Sequence, residues 1–314
     1  METPALTEFS LTNPQHHSTA ASIWNAACGP EFAITPRFVE FNTRPSAGAE
    51  RTGKLAVLDG QPVGFVITSL MTDTPDREGW IDAIAVDPSH QRKGVGRALL
   101  DWAHDWLRQR NCSYVDLGTS LRPFTHGLPV QLSPDPFLGM GYQQLYETWD
   151  MAHTLQGYTS QTRNPTPQAE LRPLEPGQEN ELLPFMEREF PGRWHYEATE
   201  CVREKRRLSD WLILWIEGKL QGFCCATFED SDAPLERYYL HRLPRPWGQV
   251  GTYGVANSLR GRGYGLYLID ASLVYLRDRG VNGCVIDWTS FLDLYGKFGF
   301  KAYHQYRVLR KELK

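Results

Sequence analysis

Two stretches of this 314-residue chain repeat each other, and the repeat commits the fold to a duplicated unit before any single element is assigned. Gln91-Arg92-Lys93-Gly94-Val95-Gly96 returns 169 positions later as Arg260-Gly261-Arg262-Gly263-Tyr264-Gly265. Each run follows a short apolar segment ending in Val, Ile84-Ala85-Val86 in the first copy and Tyr253-Gly254-Val255 in the second. Each then opens a segment with helical apolar spacing: Val95, Leu99, Trp102 and Trp106, then Tyr264, Leu268, Ala271 and Tyr275. Strand-like runs follow, at Tyr114 to Leu117 and Cys284 to Trp288, and then an aromatic-x-x-x-Gly-aromatic segment, Phe137 to Tyr142 and Tyr295 to Phe300. Here the offset has fallen from 169 to 158, so the first copy carries 11 additional residues, within Leu121 to Ser133.

The upstream halves correspond as well. Leu55 to Leu58, Asp59-Gly60-Gln61-Pro62 and Val63 to Val66 read as strand, turn and strand, and so do Trp211 to Glu217, Gly218-Lys219 and Leu220 to Phe228. Helical segments precede each hairpin: Ser18 to Cys28, then Gln178 to Phe190 and Tyr196 to Arg207. Gly157 to Ala169 is polar and rich in Thr, Gln and Pro, the composition of a linker. The expected organisation is one domain over 1–156, a linker over 157–169 and a second domain over 170–314.

Composition agrees with two packed domains: 41% of residues are hydrophobic and 22% charged. A net charge of −4 carries no basic signature and argues against nucleic acid as a partner. The six cysteines form no C-x-x-C pair, and the adjacent Cys224 and Cys225 point to opposite faces of a strand, so reduced thiols are expected. Met1 to Thr12 lacks the basic and apolar regions of a signal peptide. The longest apolar run, Trp211 to Ile216, is too short to cross a bilayer. A cytoplasmic protein with no membrane partner is expected.

A Gly-rich turn between strand and helix offers unpaired N–H groups at the positive end of a helix dipole. Gly94, Gly96, Gly263 and Gly265 leave no side chain in the way of an anion, and Arg92, Lys93, Arg97, Arg260 and Arg262 add charge suited to phosphate. Neither copy has the Gly-Lys-Ser/Thr of a P-loop, nor the third glycine of a dinucleotide fingerprint.

Both copies resemble the Q/R-x-x-G-x-G/A signature of the GNAT acetyltransferase superfamily. Ile84 to Pro88, the helix start Arg97-Ala98-Leu99-Leu100 and the late Tyr295 to Phe300 segment extend the likeness beyond six residues. The resemblance implies two α/β (α+β) domains, each a mixed, mostly antiparallel twisted sheet flanked by helices, with acetyl-CoA in a splayed central crevice. Gln91 and Arg260 open the two signatures. The pyrophosphate would rest on the amides of residues 92–97 (Arg92, Lys93, Gly94, Val95, Gly96, Arg97) and 261–266 (Gly261, Arg262, Gly263, Tyr264, Gly265, Leu266). The pantetheine arm would pair with Ile84, Ala85 and Val86, or with Tyr253, Gly254 and Val255. A neutral amine would attack the thioester directly, with no metal and no covalent enzyme intermediate.

The copies differ where chemistry is expected. At the position where such enzymes often carry a thiolate-protonating tyrosine, the second copy has Tyr295 and the first has Phe137. Tyr295 is the expected acid, against a packing role at the sheet's end. Asp82, four residues before Val86, is matched by Gly251. It serves either as the base for an incoming ammonium or as a plain strand carboxylate, and Glu78 is a weaker candidate of the same kind. The loop Leu121 to Gly127 either binds substrate or packs. Asp287-Trp288-Thr289 falls near the second cleft, as an acceptor contact or as core. His16, His17 and His195 lack metal-ligand spacing, and Arg203 to Arg207 reads as a solvated charged helix face. The expected activity is N-acetyl transfer to a small-molecule or peptide amine, centred in the second copy. The alternatives are two active copies or a non-catalytic acyl-CoA sensor.

Overall fold

In a computed structural model, residues 3–72 and 78–313 are described. Backbone contacts divide the chain into two units, one running to Trp149 and including His304 onward, the other Asp150–Tyr303. The first unit contains β1 (Ala5–Glu8), α1 (Pro14–Cys28), α2 (Pro36–Thr43), β2 (Ala49–Leu58), β3 (Gln61–Met71) and β4 (Glu78–Val86). It continues with α3 (Val95–Arg108), β5 (Tyr114–Leu117), β6 (Leu128–Pro129), α4 (Asp135–Leu138) and the start of β7 (Gln143–Thr154). The second contains β8 (Ala169–Pro173), α5 (Glu179–Glu189), α6 (Arg193–Arg203), β9 (Trp211–Ile216), β10 (Lys219–Phe228) and β11 (Trp247–Val255). After these come α7 (Tyr264–Asp278), β12 (Gly283–Thr289), α8 (Leu292–Gly296) and the start of β13 (Lys301–Glu312).

The sheets run β1-β2-β3-β4-β5 and β8-β9-β10-β11-β12. In both the hairpin pairs are antiparallel, and the strand after the signature helix returns parallel to the one before it. The central hairpins close through Asp59-Gly60 (φ 47° and 75°) and Glu217-Gly218 (φ 50° and 70°), the doubly left-handed turn whose twist matches two antiparallel strands. Asn13 caps α1 by accepting the Gln15 N–H, and Thr35 caps α2 by accepting that of Phe38. Thr35 followed by Pro36 is a helix-start signal, and α2 lies where no helix was expected from the apolar spacing.

Several expectations are corrected. The buried face of α3 is Val95, Leu99, Ala103 and Leu107, and that of α7 is Tyr264, Leu268, Ser272 and Leu276, an unbroken i, i+4 row in each. Trp102 and Trp106 stand at the margin of that face, under Lys54 at 5.5 Å and Arg110 at 4.0 Å. Helix α6 ends at Arg203, so Arg203 to Arg207 is not a helix face. Instead Arg207 is anchored to Asp210 at 2.7 Å and Asp230 at 2.9 Å.

Unit boundaries also depart from the repeat boundaries. Residues 304–313 follow the second copy in sequence, yet they belong to the first unit. There β13 pairs antiparallel with β5 from Leu309 opposite Leu117 to Glu312 opposite Tyr114. Arg310 fixes this strand with a two-pronged contact to Asp116 at 2.6 and 2.7 Å, its guanidinium 3.6 Å over the Tyr114 ring. Residues 157–169, read as a free linker, belong to the second unit. The buried Asp270 of α7 holds them, accepting from the Tyr158 hydroxyl (2.7 Å), the Ser160 hydroxyl (2.7 Å) and both the N–H and hydroxyl of Thr162 (2.8 Å each). All six cysteines are free, and no helix among the described residues is long and apolar enough to cross a membrane.

Candidate active site

The signature turns of the two units are built alike. Gly94 and Gly263 cap α3 and α7 in the left-handed region, at φ 87° in both. Arg92 and Gly261, two residues earlier, are left-handed too, at φ 58° and 73°. Left-handed residues alternating with Lys93 and Arg262 turn successive N–H groups into one concavity, a backbone nest for an anion. The first helix-closing bonds are Ala98 N–H to Gly94 C=O and Tyr267 N–H to Gly263 C=O. The N–H groups of the capping turn therefore have no partner inside the helix. A Cβ added at Gly94, Gly261, Gly263 or Gly265 meets nothing within 4 Å, and at Gly96 it meets only Val86 Cγ2 at 3.7 Å. Gln91 donates from Nε2 to Val86 C=O at 3.0 Å and ties the turn to its strand. Both turns thus fit a diphosphate on open main chain.

The strands ahead of the turns are splayed. β4 pairs with β5 only over Glu78–Ile81, and β11 with β12 only over Trp247–Gln249. Ile84, Ala85 and Val86, like Gly254 and Val255, pair with the hairpin strand on their other side. The edge toward β5 or β12 is left for an extended ligand. The register also fixes the alignment: 169 positions separate Tyr114 from Gly283 as they do Glu78 from Trp247, so Gly118 matches Asp287.

At the acyl end of the splay the units part. In the first, the loop carrying the additional residues folds inward. Phe124 N–H donates to Asp82 C=O at 3.0 Å, and its ring, 1% exposed, packs edge-on against Trp24 at 5.4 Å and Phe38 at 5.1 Å. Leu121, Arg122 and His126 are buried with it, so this loop packs. Gly118 admits it, since a Cβ there would lie 2.2 Å from Gly127 N. The Asp82 carboxylate accepts from Arg51 Nε at 2.9 Å and the Ser69 hydroxyl at 2.8 Å, with both charged side chains almost wholly buried. Glu78 accepts from the Tyr114 hydroxyl. The Phe137 ring packs edge-on against Tyr142 at 5.7 Å.

In the second unit nothing corresponds to that loop, because β12 leads within a few residues to α8. Helix α8 presents Tyr295, whose ring lies 6.2 Å from that of Tyr253 on the splayed strand. Burial, followed by the nearby Cys224 and Asp287, pushes the Tyr295 phenol above its ordinary value, so it holds its proton through neutral pH. Burial likewise raises Tyr253, and holds the Cys224 thiol up at about 12, protonated beside them. Asp287 accepts from Gln249 Nε2 at 2.7 Å, while Gln249 Oε1 accepts from the Thr227 hydroxyl at 3.0 Å. Trp288 is half-buried, with the Arg193 guanidinium 4.3 Å above its ring and Arg193 in turn bound to Glu197 at 3.0 Å. Gln249, Arg193 and Glu197 were not singled out from the sequence. Gln249 lies two residues before Gly251 on a strand already marked, whereas α6 carries no motif. His16 accepts from Ser10 N–H and His17 bonds Leu11 C=O. No group of three or more His, Cys, Asp or Glu is placed to hold a metal among the described residues.

A backbone nest and a splayed parallel strand pair, both present twice, define a tandem acyltransferase fold. The chain belongs to the acetyltransferase (GNAT) family, whose profile matches residues 19–123 and 179–300, once in each copy. Among solved structures, the GCN5-related glucosamine N-acetyltransferase region of a fungal multi-domain GH3 β-N-acetylglucosaminidase aligns with a TM-score of 0.86 and 22% identity. That alignment covers 99% of this chain and 38% of the other, so this chain spans well under half of that protein's length. A tandem GNAT protein from the clavulanic acid biosynthesis pathway gives 0.70 and 14%, covering 99% of this chain and 98% of that one. A GCN5-related N-acetyltransferase from Sphaerobacter thermophilus gives 0.66 and 19%, covering 98% and 96%. At these identities the likeness is one of fold. No curated protein sequence matches the chain.

Proposed function

We propose that this acyltransferase moves an acetyl group from acetyl-CoA to a primary amine of a small molecule or peptide, and that the reaction takes place in the second unit. Acetyl-CoA supplies a thioester whose carbonyl carbon is open to direct attack. The residues 261–266 hold its diphosphate, and the main chain of Tyr253, Gly254 and Val255 holds the pantetheine arm. The Tyr295 phenol gives its proton to the departing sulfur, the step that splits direct attack from a stalled thiolate. In the first unit residues 92–97 keep the cradle, but Phe124 fills the acyl end and Phe137 offers no proton. Asp82, with Arg51 and Ser69, braces that filled crevice and does not act as a base.

The observation that carries this reading is the second unit's splay, which no inserted loop enters and beside which the protonated Tyr295 phenol lies. Thiol release from acetyl-CoA in the presence of primary amines tests it. Tyr295→Phe is expected to lower turnover about 100-fold or more while CoA still binds. Full turnover in that variant removes the acid assignment.

A further inference from the structure

The final strands of the two copies have changed places. β7 and β13 match end to end at the repeat offset of 158, Gln143 with Lys301 and Thr154 with Glu312. β13 nevertheless finishes beside β5 in the first unit, while β7 from Asp150 onward belongs to the second unit and neighbours β12. Just past β7, Leu155 N–H donates at 2.7 Å to the C=O of Asn282, the residue before β12. The second unit is thus closed by residues that the first copy supplies.

Asp150 comes to the splay by this exchange. It is 1% exposed, and its Oδ1 accepts the Trp288 N–H at 3.0 Å. Trp288 lies beyond the point where the pairing of β11 with β12 ends, at Gln249 opposite Val285. Its φ of 47° is left-handed, a conformation that a bulky residue holds only where its surroundings impose it. Asp150 does so from the main chain, and the Arg193 guanidinium from 4.3 Å over the ring. The supports then run on toward α8. Thr289 Oγ1 accepts the Phe291 N–H at 3.0 Å, and Phe291 C=O accepts the Tyr295 N–H at 3.2 Å, closing the turn that carries the phenol. In the first unit the position matching Asp150 is Val308, whose buried side chain has no acceptor atom. Thr119, which matches Trp288, turns its hydroxyl to Asp116 at 3.2 Å.

We propose that Asp150 and Thr289 are positioning residues of the second unit, fixing the end of β12 so that α8 brings the Tyr295 phenol to the departing sulfur. The proposal rests on the reading of Tyr295 as the acid of an acetyl-transfer centre. In this role neither residue gives or takes a proton. Asp150 holds the left-handed turn, Thr289 passes its direction to Phe291, and Phe291 starts the helix. A buried N–H left without its acceptor would draw the turn toward another partner and carry the phenol with it.

The test uses the full-length protein, acetyl-CoA and three amines (an amino sugar, a diamine and a dipeptide amide). Thiol release gives kcat and calorimetry gives CoA affinity. Asp150→Leu is expected to lower kcat about 30-fold with CoA affinity within about threefold, because the phenol is displaced and the cradle is not. Placed on Tyr295→Phe, the same substitution is expected to cost less than about threefold, since the group it positions is already gone. Asp150→Asn keeps an oxygen for the Trp288 N–H and is expected to recover at least about fivefold of the loss. Thr289→Val removes the next acceptor with little change of shape. It is expected to lower kcat about fivefold, again only where Tyr295 is present, and it decides the question if Asp150→Leu does not fold. Equal losses with and without Tyr295 make these residues plain structural supports and overturn the proposal, as does full kcat in Asp150→Leu. Full turnover in Tyr295→Phe alone overturns the acid reading beneath it. No thiol release with any of the amines, whether or not CoA binds, overturns the acetyl-transfer reading and the proposal with it.

Discussion

The two units share a nest, a splay and a strand register, and differ in what occupies the space where the strands part. In the first, a buried phenylalanine, a buried Arg51–Asp82 pair and a loop entering over Gly118 fill it. In the second, the same level holds Asp287 on a Gln249 tether, Tyr253 and the Tyr295 phenol. On the proposed reading, duplication preserved the diphosphate cradle, which is mostly main chain, and divided the proton-donating part, which is side chain. A nest tolerates drift in flanking residues because N–H groups do the binding. A proton donor tolerates none, and on the proposed reading Phe137 in place of a tyrosine is enough to remove that role.

The comparison breaks first at Tyr295. Tyr295→Phe is expected to cost about 10²–10³-fold in kcat with little change in CoA affinity, measured by steady-state thiol release and calorimetry. Second comes the braced crevice. Asp82→Ala leaves Arg51 buried without its partner and is expected to lower unfolding free energy by about 3–5 kcal/mol in a denaturant titration. Turnover per folded molecule is expected to hold, and a matching collapse of kcat would restore Asp82 as a base. Third is a pH effect confined to the first unit. Burial, followed by Lys311 and Arg108, lowers His104 from 6.5 to about 4, and its ring accepts or donates to the Tyr142 hydroxyl at 2.8 Å. The unfolded imidazole takes its proton near 6.5 and the folded one near 4, so the unfolded chain binds more protons between those values. Stability contributed by the neutral ring is full above pH 6.5 and falls by up to about 3 kcal/mol as the pH drops through this window. A His104→Gln variant is expected to flatten that slope. The smallest effect is the inverse swap: Phe137→Tyr is expected to leave turnover within twofold, because a phenol beside a filled crevice meets no sulfur.

Much of the architecture was legible in the chain because repeated residues mark repeated geometry. The glycines at 94, 96, 263 and 265, the Asp-Gly and Glu-Gly turns, and the Val-ending strands all sit where local backbone demands dominate. The parts that were not legible depend on packing between distant segments. The apolar row of α3 passes through Ala103 and Leu107, and large tryptophans at 102 and 106 masked it from a reading by side-chain size. The last strand joins the first unit through Arg310 and Asp116, residues 194 positions apart, and no local pattern announces such a pairing. The two signature turns were legible in their glycines, and the contrast of Tyr295 with Phe137 stands in the sequence itself. The exchange of Asp82 and Gly118 for Gly251 and Asp287 needed the strand register, since Val115-Asp116-Leu117 invites alignment with Ile286-Asp287-Trp288 two positions off.

The central claim is that two cradles serve one catalytic centre. Paired substitution of the cap glycines tests it most directly, because a carboxylate placed in either nest repels a diphosphate and strains a left-handed position. Acetyl transfer is expected to fall more than 100-fold in Gly263→Glu and to stay within about threefold in Gly94→Glu, with both variants folded by circular dichroism. Loss of turnover in Gly94→Glu with turnover retained in Gly263→Glu would contradict the account and move the chemistry to the first unit.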